Sequence, residues 1–90
     1  PDAAGMRFSA SQIRSRADRL AVVASRLDTL LASMTFAGPA ADQFHAGAMD
    51  KLQQLKQASN VLTQAADVLV RGAASVEADP LGFYGSGGRV

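Results

Sequence analysis

The first place to look for chemistry is the single histidine. His45 stands three residues after Asp42, which puts an imidazole and a carboxylate on one helical face. A nucleophile–base–orienter set needs a third member, and the nearby Ser and Thr residues do not complete one. A metal centre needs further ligands, and the chain holds no cysteine and no second histidine. No catalytic residue, metal or cofactor is therefore expected, and the chain is not read as an enzyme. Arg14, Arg16, Arg19 and Arg26 are the next set. A nucleic-acid face would need them on one stripe. They lie at mixed angles around a helix and are interleaved with Asp18 and Asp28, the pattern of a solvated rim. A net charge of +1 over 90 residues implies no strongly charged partner for the chain as a whole.

The elements that would position these residues are two long amphipathic helices. Ile13, Leu20, Leu27 and Met34 recur every seven residues, with Val23, Leu30 and Leu31 between them. Ala41, Ala48, Leu55, Leu62, Leu69 and Val76 recur at the same spacing, beside Phe44, Leu52, Val61 and Val68. Apolar heptads of this kind predict helices packed at a shallow, coiled-coil-like crossing. The two runs meet at Thr35-Phe36-Ala37-Gly38-Pro39. Gly38 precedes a proline and is pushed out of the α region, while Pro39 suits the first position of a new helix. The expected fold is all-α: an antiparallel hairpin over residues 1–79, with a helix at about 9–35, a turn at 36–38 and a helix at about 39–78. Ser9 to Gln12 has the spacing of a capping box for the first helix. Asp42 suits the first turn of the second, and Asp79 before Pro80 ends it. Residues 80–90, with four glycines and no periodicity, are expected to be a flexible tail.

A turn centred near Ala37 predicts facing residues whose numbers sum to about 75. Ile13 then faces Leu62, Leu20 faces Leu55, Leu27 faces Gly47 and Ala48, and Leu30 and Leu31 face Phe44. Close helix approach accounts for Gly47, and either a bend or a partner chain for Gly72. The same register leaves Val68, Leu69, Val70 and Val76 overhanging the first helix. The expected dimer and core seam is Ile13, Leu20, Leu27, Leu31, Phe44, Leu55, Leu62, Leu69 and Val76, with Leu20, Leu27, Leu55 and Leu62 among the most buried. A lone hairpin of this size buries little, and pairing into an elongated four-helix bundle is the expected remedy. The first helix carries +2 (Arg14, Arg16, Arg19 and Arg26 against Asp18 and Asp28). The second carries −2 (Lys51, Lys56 and Arg71 against Asp42, Asp50, Asp67, Glu77 and Asp79), so the rims attract.

The order of a helix of about 25 residues, Phe36-Ala37-Gly38, and Gly38-Pro39-Ala40-Ala41-Asp42-Gln43-Phe44 opening a longer helix resembles the WXG-type family of small type VII (ESX) secretion substrates, which includes the early secreted antigen proteins of mycobacteria. Phe36 stands where that family has a tryptophan, and Gly88 stands four residues after Tyr84, where the family's export signature has an acid. The resemblance implies a protein exported by a non-Sec route after a cytoplasmic stage. It acts through protein–protein contact as a dimer with a paralogous WXG-type partner or with itself. It reaches the secretion ATPase through that partner, with Tyr84 as a tail recognition residue. The turn motif Phe36, Ala37 and Gly38 has a second reading as a recognition element. An abundance of Ala, Gly and Arg fits an actinobacterial, high-GC source. No run of about 18 apolar residues predicts membrane insertion, and no basic-then-apolar leader opens the residues given. The chain opens on Pro1 rather than Met, so an initiator, tag or prosequence is expected to have been removed. Two other readings stay open: the N-terminal export hairpin of a longer effector or toxin, and an intracellular coiled-coil adaptor.

Overall fold

The computed structural model describes residues 2–35 and 37–79. They form two α-helices, α1 (Ala3–Ser33) and α2 (Pro39–Ala78), packed along their length as an antiparallel hairpin measuring 66 × 23 × 14 Å. The smallest extent is one helix thick, so the hairpin is a single layer.

α1 begins six residues before the Ser9 capping box. Asp2 is the N-cap: its carboxylate accepts from the Gly5 N–H at 3.2 Å, and its carbonyl accepts from the Met6 N–H at 3.0 Å. Gly5 makes room for this cap, because a Cβ there would lie 2.7 Å from the Asp2 carboxylate. Ser9 is exposed inside the helix. The first turns are held by tertiary contact, which residues 3–8 read alone do not reveal. The Arg7 guanidinium donates twice to Glu77, at 2.6 and 3.0 Å. Met6 lies over Gly72, with Cε only 2.5 Å from where a Cβ would sit. That contact answers the question of Gly72. At Gly47 nothing lies within 4 Å of an added Cβ, so close helix approach is not the reason for that glycine.

α1 ends at Met34, whose backbone turns to the extended region (φ −85°, ψ 147°). Gly38 caps α2 at φ 89°, a left-handed backbone that glycine adopts without strain, and its carbonyl accepts from the Asp42 N–H at 3.0 Å. Pro39 opens the helix and Asp42 lies in its first turn.

The helices meet along a line of small side chains. Ala10, Ala17, Ala24 and Leu31 are buried on α1, and Leu52, Ala66 and Ala73 on α2, with half-buried Ser59 completing the second heptad row. Ser59 Oγ donates to the Ala17 carbonyl at 2.9 Å across the seam. Alanine and serine at successive heptads let the backbones approach until a side chain of one helix reaches the main chain of the other. Leu52, 1% exposed, is the largest fully buried side chain, and it packs with Ala24 and Leu31.

The register also differs from the expected one. Facing residues at the three ion pairs (Arg7–Glu77, Arg14–Asp67 and Asp28–Lys56) have numbers summing to between 81 and 84. Each partner moves on by about one heptad. Leu20 lines a groove with Leu62 rather than Leu55, and Leu27 packs in the cluster that holds Leu55 as well as the expected Ala48. The cause lies in the connection. The first helix stops at Ser33 and the backbone turns to the extended region at Met34, so α2 starts beyond the end of α1 instead of beside it. The overhang therefore falls on the first turns of α2, around Phe44, and the C-terminal turns of α2 are covered by residues 3–10.

Candidate functional site

Folding assigns different work to the two sides of the seam. At 100° per residue, heptad rows fall either side of the contact line. One side carries Arg7, Arg14 and Asp28 on α1, and Lys56, Asp67 and Glu77 on α2, and it is closed by ion pairs. Arg7 meets Glu77 at 2.6 Å, Arg14 meets Asp67, and Lys56 reaches Asp28 at 4.0 Å. The hydrogen bonds from Arg7 hold the Glu77 carboxyl below the ordinary carboxylate value, and the same contact raises Arg7.

The other side is apolar. Next to the seam run Met6, Ile13, Leu20 and Leu27 on α1, and Ala41, Ala48, Leu55, Leu62, Leu69 and Val76 on α2. Outside them lie Arg16, Val23 and Leu30 on α1, and Phe44, Lys51, Ala58 and Ala65 on α2. Val23 is 48% exposed, Phe44 58% and Leu30 59%. Leu20 and Leu62 floor a groove walled by Arg16, Arg19 and Val23. The result is a strip of large apolar side chains running nearly the length of the hairpin, half sunk between the helices. Its continuity over both helices is what marks an interaction face, since scattered apolar side chains are ordinary. Phe8 and Val22, exposed on the far side of α1, are of that ordinary kind.

The residues expected at the dimer and core seam divide between the helix contact line and the apolar strip beside it. Leu31 is buried between the helices, but Ile13, Leu20, Leu27, Leu55, Leu62 and Leu69 are half-buried, and Phe44 and Val76 are exposed. Leu20, Leu27, Leu55 and Leu62 are thus not the most buried side chains of the hairpin. The alanine rows occupy the contact line and leave the leucine rows one step to the side. The buried set was legible as a heptad at Ala10, Ala17 and Ala24, repeated at Ala66 and Ala73, but hydrophobic strength ranks leucine above alanine and hides it.

Asp42 is exposed and His45 half-buried. Among the described residues, no three His, Cys, Asp or Glu side chains group so as to hold a metal ion, and no helix is long and apolar enough to cross a membrane. Ala37 and Gly38 form the connection before α2. Phe36, Tyr84 and the expected tail at 80–90 lie outside the described residues. No family model, curated protein or solved structure matches this chain.

Proposed function

We propose that this chain is a protein-interaction module that pairs, through the apolar strip, with a second helical hairpin to form an elongated four-helix bundle. The observation that carries the reading is the alanine seam. It closes the hairpin largely with small side chains, leaves Leu20, Leu27, Leu55 and Leu62 only half-buried, and leaves Val23, Leu30 and Phe44 exposed on the same side. A single-layer hairpin covers only one row per helix, and a facing hairpin covers the rest. The activity is contact rather than catalysis.

The sequence order around the break supports a narrower reading within the same class. A hairpin broken at Phe36-Ala37-Gly38 with Ala40, Ala41 and Phe44 following resembles the WXG-type substrates of type VII secretion. On that reading the pair is exported together after folding in the cytoplasm. Because Gly88 follows Tyr84 by four residues, the partner carries the acidic export signature. The decisive measurement is mass in solution. Light scattering at micromolar concentration, alone and with the product of the adjacent gene (members of the WXG-type family are commonly encoded in pairs), should give about twice the chain mass in at least one case. A cooperative monomer in both cases refutes the pairing. Export from the native host, with the adjacent gene intact and deleted, tests the narrower reading. Undiminished export without the partner refutes it.

A further inference from the structure

The charges of the hairpin are sorted by side as sharply as the apolar residues. Every acid within the two helices (Asp18, Asp28, Asp42, Asp50, Asp67 and Glu77) falls on the ion-paired side or the back. On the apolar side the heptad rows are Met6–Ile13–Leu20–Leu27, Ser9–Arg16–Val23–Leu30 and Gly5–Gln12–Arg19–Arg26–Ser33 on α1. On α2 they are Ala41–Ala48–Leu55–Leu62–Leu69–Val76, Phe44–Lys51–Ala58–Ala65–Gly72 and Ala40–Gly47–Gln54–Val61–Val68–Ser75. These six rows hold four cations, Arg16, Arg19, Arg26 and Lys51, and no acid. Arg16 and Lys51 flank the strip directly, while Arg19 and Arg26 stand at its outer edge, where Asp18 on the back lines the same depression. Those four form no ion pair among the described residues, whereas Arg7, Arg14 and Lys56 on the opposite side all do. Arg16 and Arg19 wall the Leu20–Leu62 groove, and Arg26 flanks Leu30.

We infer that the occupant of this face is a different helical chain, whose own apolar strip is edged with carboxylates placed to meet Arg16, Arg19, Arg26 and Lys51. This rests on the pairing reading above and specifies the partner. A second copy is the wrong occupant. Whichever way two copies lie across the strip, each brings Arg16, Arg19 and Lys51 to the edge of the same seam and no acid within the strip to meet them, and like charges beside a dehydrating interface oppose association. Carboxylates at those positions turn the same rim into guanidinium–carboxylate pairs, for which arginine's planar fork is suited. The guanidiniums thus act as a filter: the apolar strip accepts any helix face, and the rim rejects this chain's own. An anionic lipid surface also answers a cationic apolar face. The recessed floor at Leu20 and Leu62, with side chains standing as walls, is shaped for the knobs of a facing helix instead.

The test uses two acidic probes made from this chain. One carries Arg16→Glu, Arg19→Glu and Arg26→Glu. The other carries Lys51→Glu, Ala58→Glu and Ala65→Glu, so that both possible neighbours across the strip are sampled. Each is mixed with the wild-type chain, and hetero-association is compared with wild-type self-association by analytical ultracentrifugation at 20 mM and 500 mM salt. Circular dichroism of each probe first confirms its helicity. The expected result is that one probe binds the wild-type chain about tenfold more tightly than the wild type binds itself, as two or three weak ion pairs supply. That preference should shrink at high salt. If the wild type pairs with itself as tightly as with both probes, the partner inference is overturned while the pairing reading stands. If the chain stays monomeric with itself and with both probes, the partner inference is overturned, and the pairing reading is decided by the light-scattering measurement above. A third arm uses phosphatidylglycerol vesicles against phosphatidylcholine vesicles. Binding to the anionic vesicles, lost on Leu30→Asp, without pairing to either probe, would overturn the protein partner in favour of a lipid surface.

Discussion

Ala17→Leu should damage this hairpin more than removing most of its leucines. Ala17 is 1% exposed, and its own carbonyl accepts the Ser59 hydroxyl at 2.9 Å. A backbone oxygen within reach of the opposite helix leaves no space for a branched side chain between them. Three added carbons must either take a strained rotamer or push the helices apart, which breaks that hydrogen bond and loosens Ala10, Ala24 and Ala66 on either side. Overpacking of this kind costs about 1–3 kcal/mol, and the lost hydrogen bond adds about 1 kcal/mol. A change of 1 kcal/mol moves the midpoint of a domain of this size by about 4–8 °C, so Ala17→Leu should lower Tm by at least about 8 °C. Leu20→Ala is the control. Leu20 is half-buried, so in a dilute hairpin its truncation should cost less than the 2–5 kcal/mol of a fully enclosed leucine. Thermal unfolding followed by circular dichroism at 222 nm, at a concentration that keeps the chain monomeric, compares the two. A neutral or stabilising Ala17→Leu would show that the seam is not closely packed and that the assignment of rows is wrong.

Leu52→Ala should cost about 2–5 kcal/mol, because this side chain is fully enclosed beside Ala24 and Leu31. Chemical denaturation measures it, with exposed Leu30→Ala expected to be nearly silent in the monomer. Gly47→Ala should stabilise the hairpin by up to about 1 kcal/mol, since a Cβ there meets nothing within 4 Å and glycine is a poor helix former. A loss of stability in the monomer would contradict the geometry. The Arg7–Glu77 contact sets a pH dependence. Glu77 titrates below the ordinary value of 4.5 in the folded chain, so its contribution is present above that value and lost as pH falls through the lower folded one. Arg7 stays charged throughout. Wild type and Glu77→Gln should therefore differ in Tm at pH 6 and converge as pH falls through the lowered folded value, with the gap at pH 6 narrowing in high salt.

The sequence carries the broad outline in two local signals. A proline after a glycine has only one comfortable place in a helical chain, so the start of α2 is legible from Gly38-Pro39. Asp79-Pro80 marks its end in the same way. The apolar heptads place the contact line of each helix to within one row. Three features needed the third dimension. The seam falls on alanine because close backbone approach rewards small side chains, a gain that no scale of side-chain hydrophobicity counts. The start of α1 falls at Asp2 rather than Ser9 because Met6 and Arg7 find Gly72 and Glu77, some 65–70 residues away in the chain. The register escapes the pattern because a strict seven-residue repeat looks the same after sliding by seven. Leu20 meets a leucine whether its neighbour is Leu55 or Leu62, so the apolar rows cannot choose between them.

That degeneracy gives the ion-paired side a meaning beyond its small contribution to stability. Slide α1 by one heptad towards the start of α2, and the alanine rows still interlock. Arg7, however, then stands opposite Val70, Arg14 opposite Asn60, and Asp28 opposite Met49. Slide it the other way, and Arg14 meets Ala74 while Asp28 meets Thr63. Only one alignment pairs all three charges, at Glu77, Asp67 and Lys56. The apolar rows act as a rail and the charges as an index mark along it. Since the exposed strip is built from both helices, the mark also determines which residues of α1 and α2 stand side by side on the surface offered to a partner.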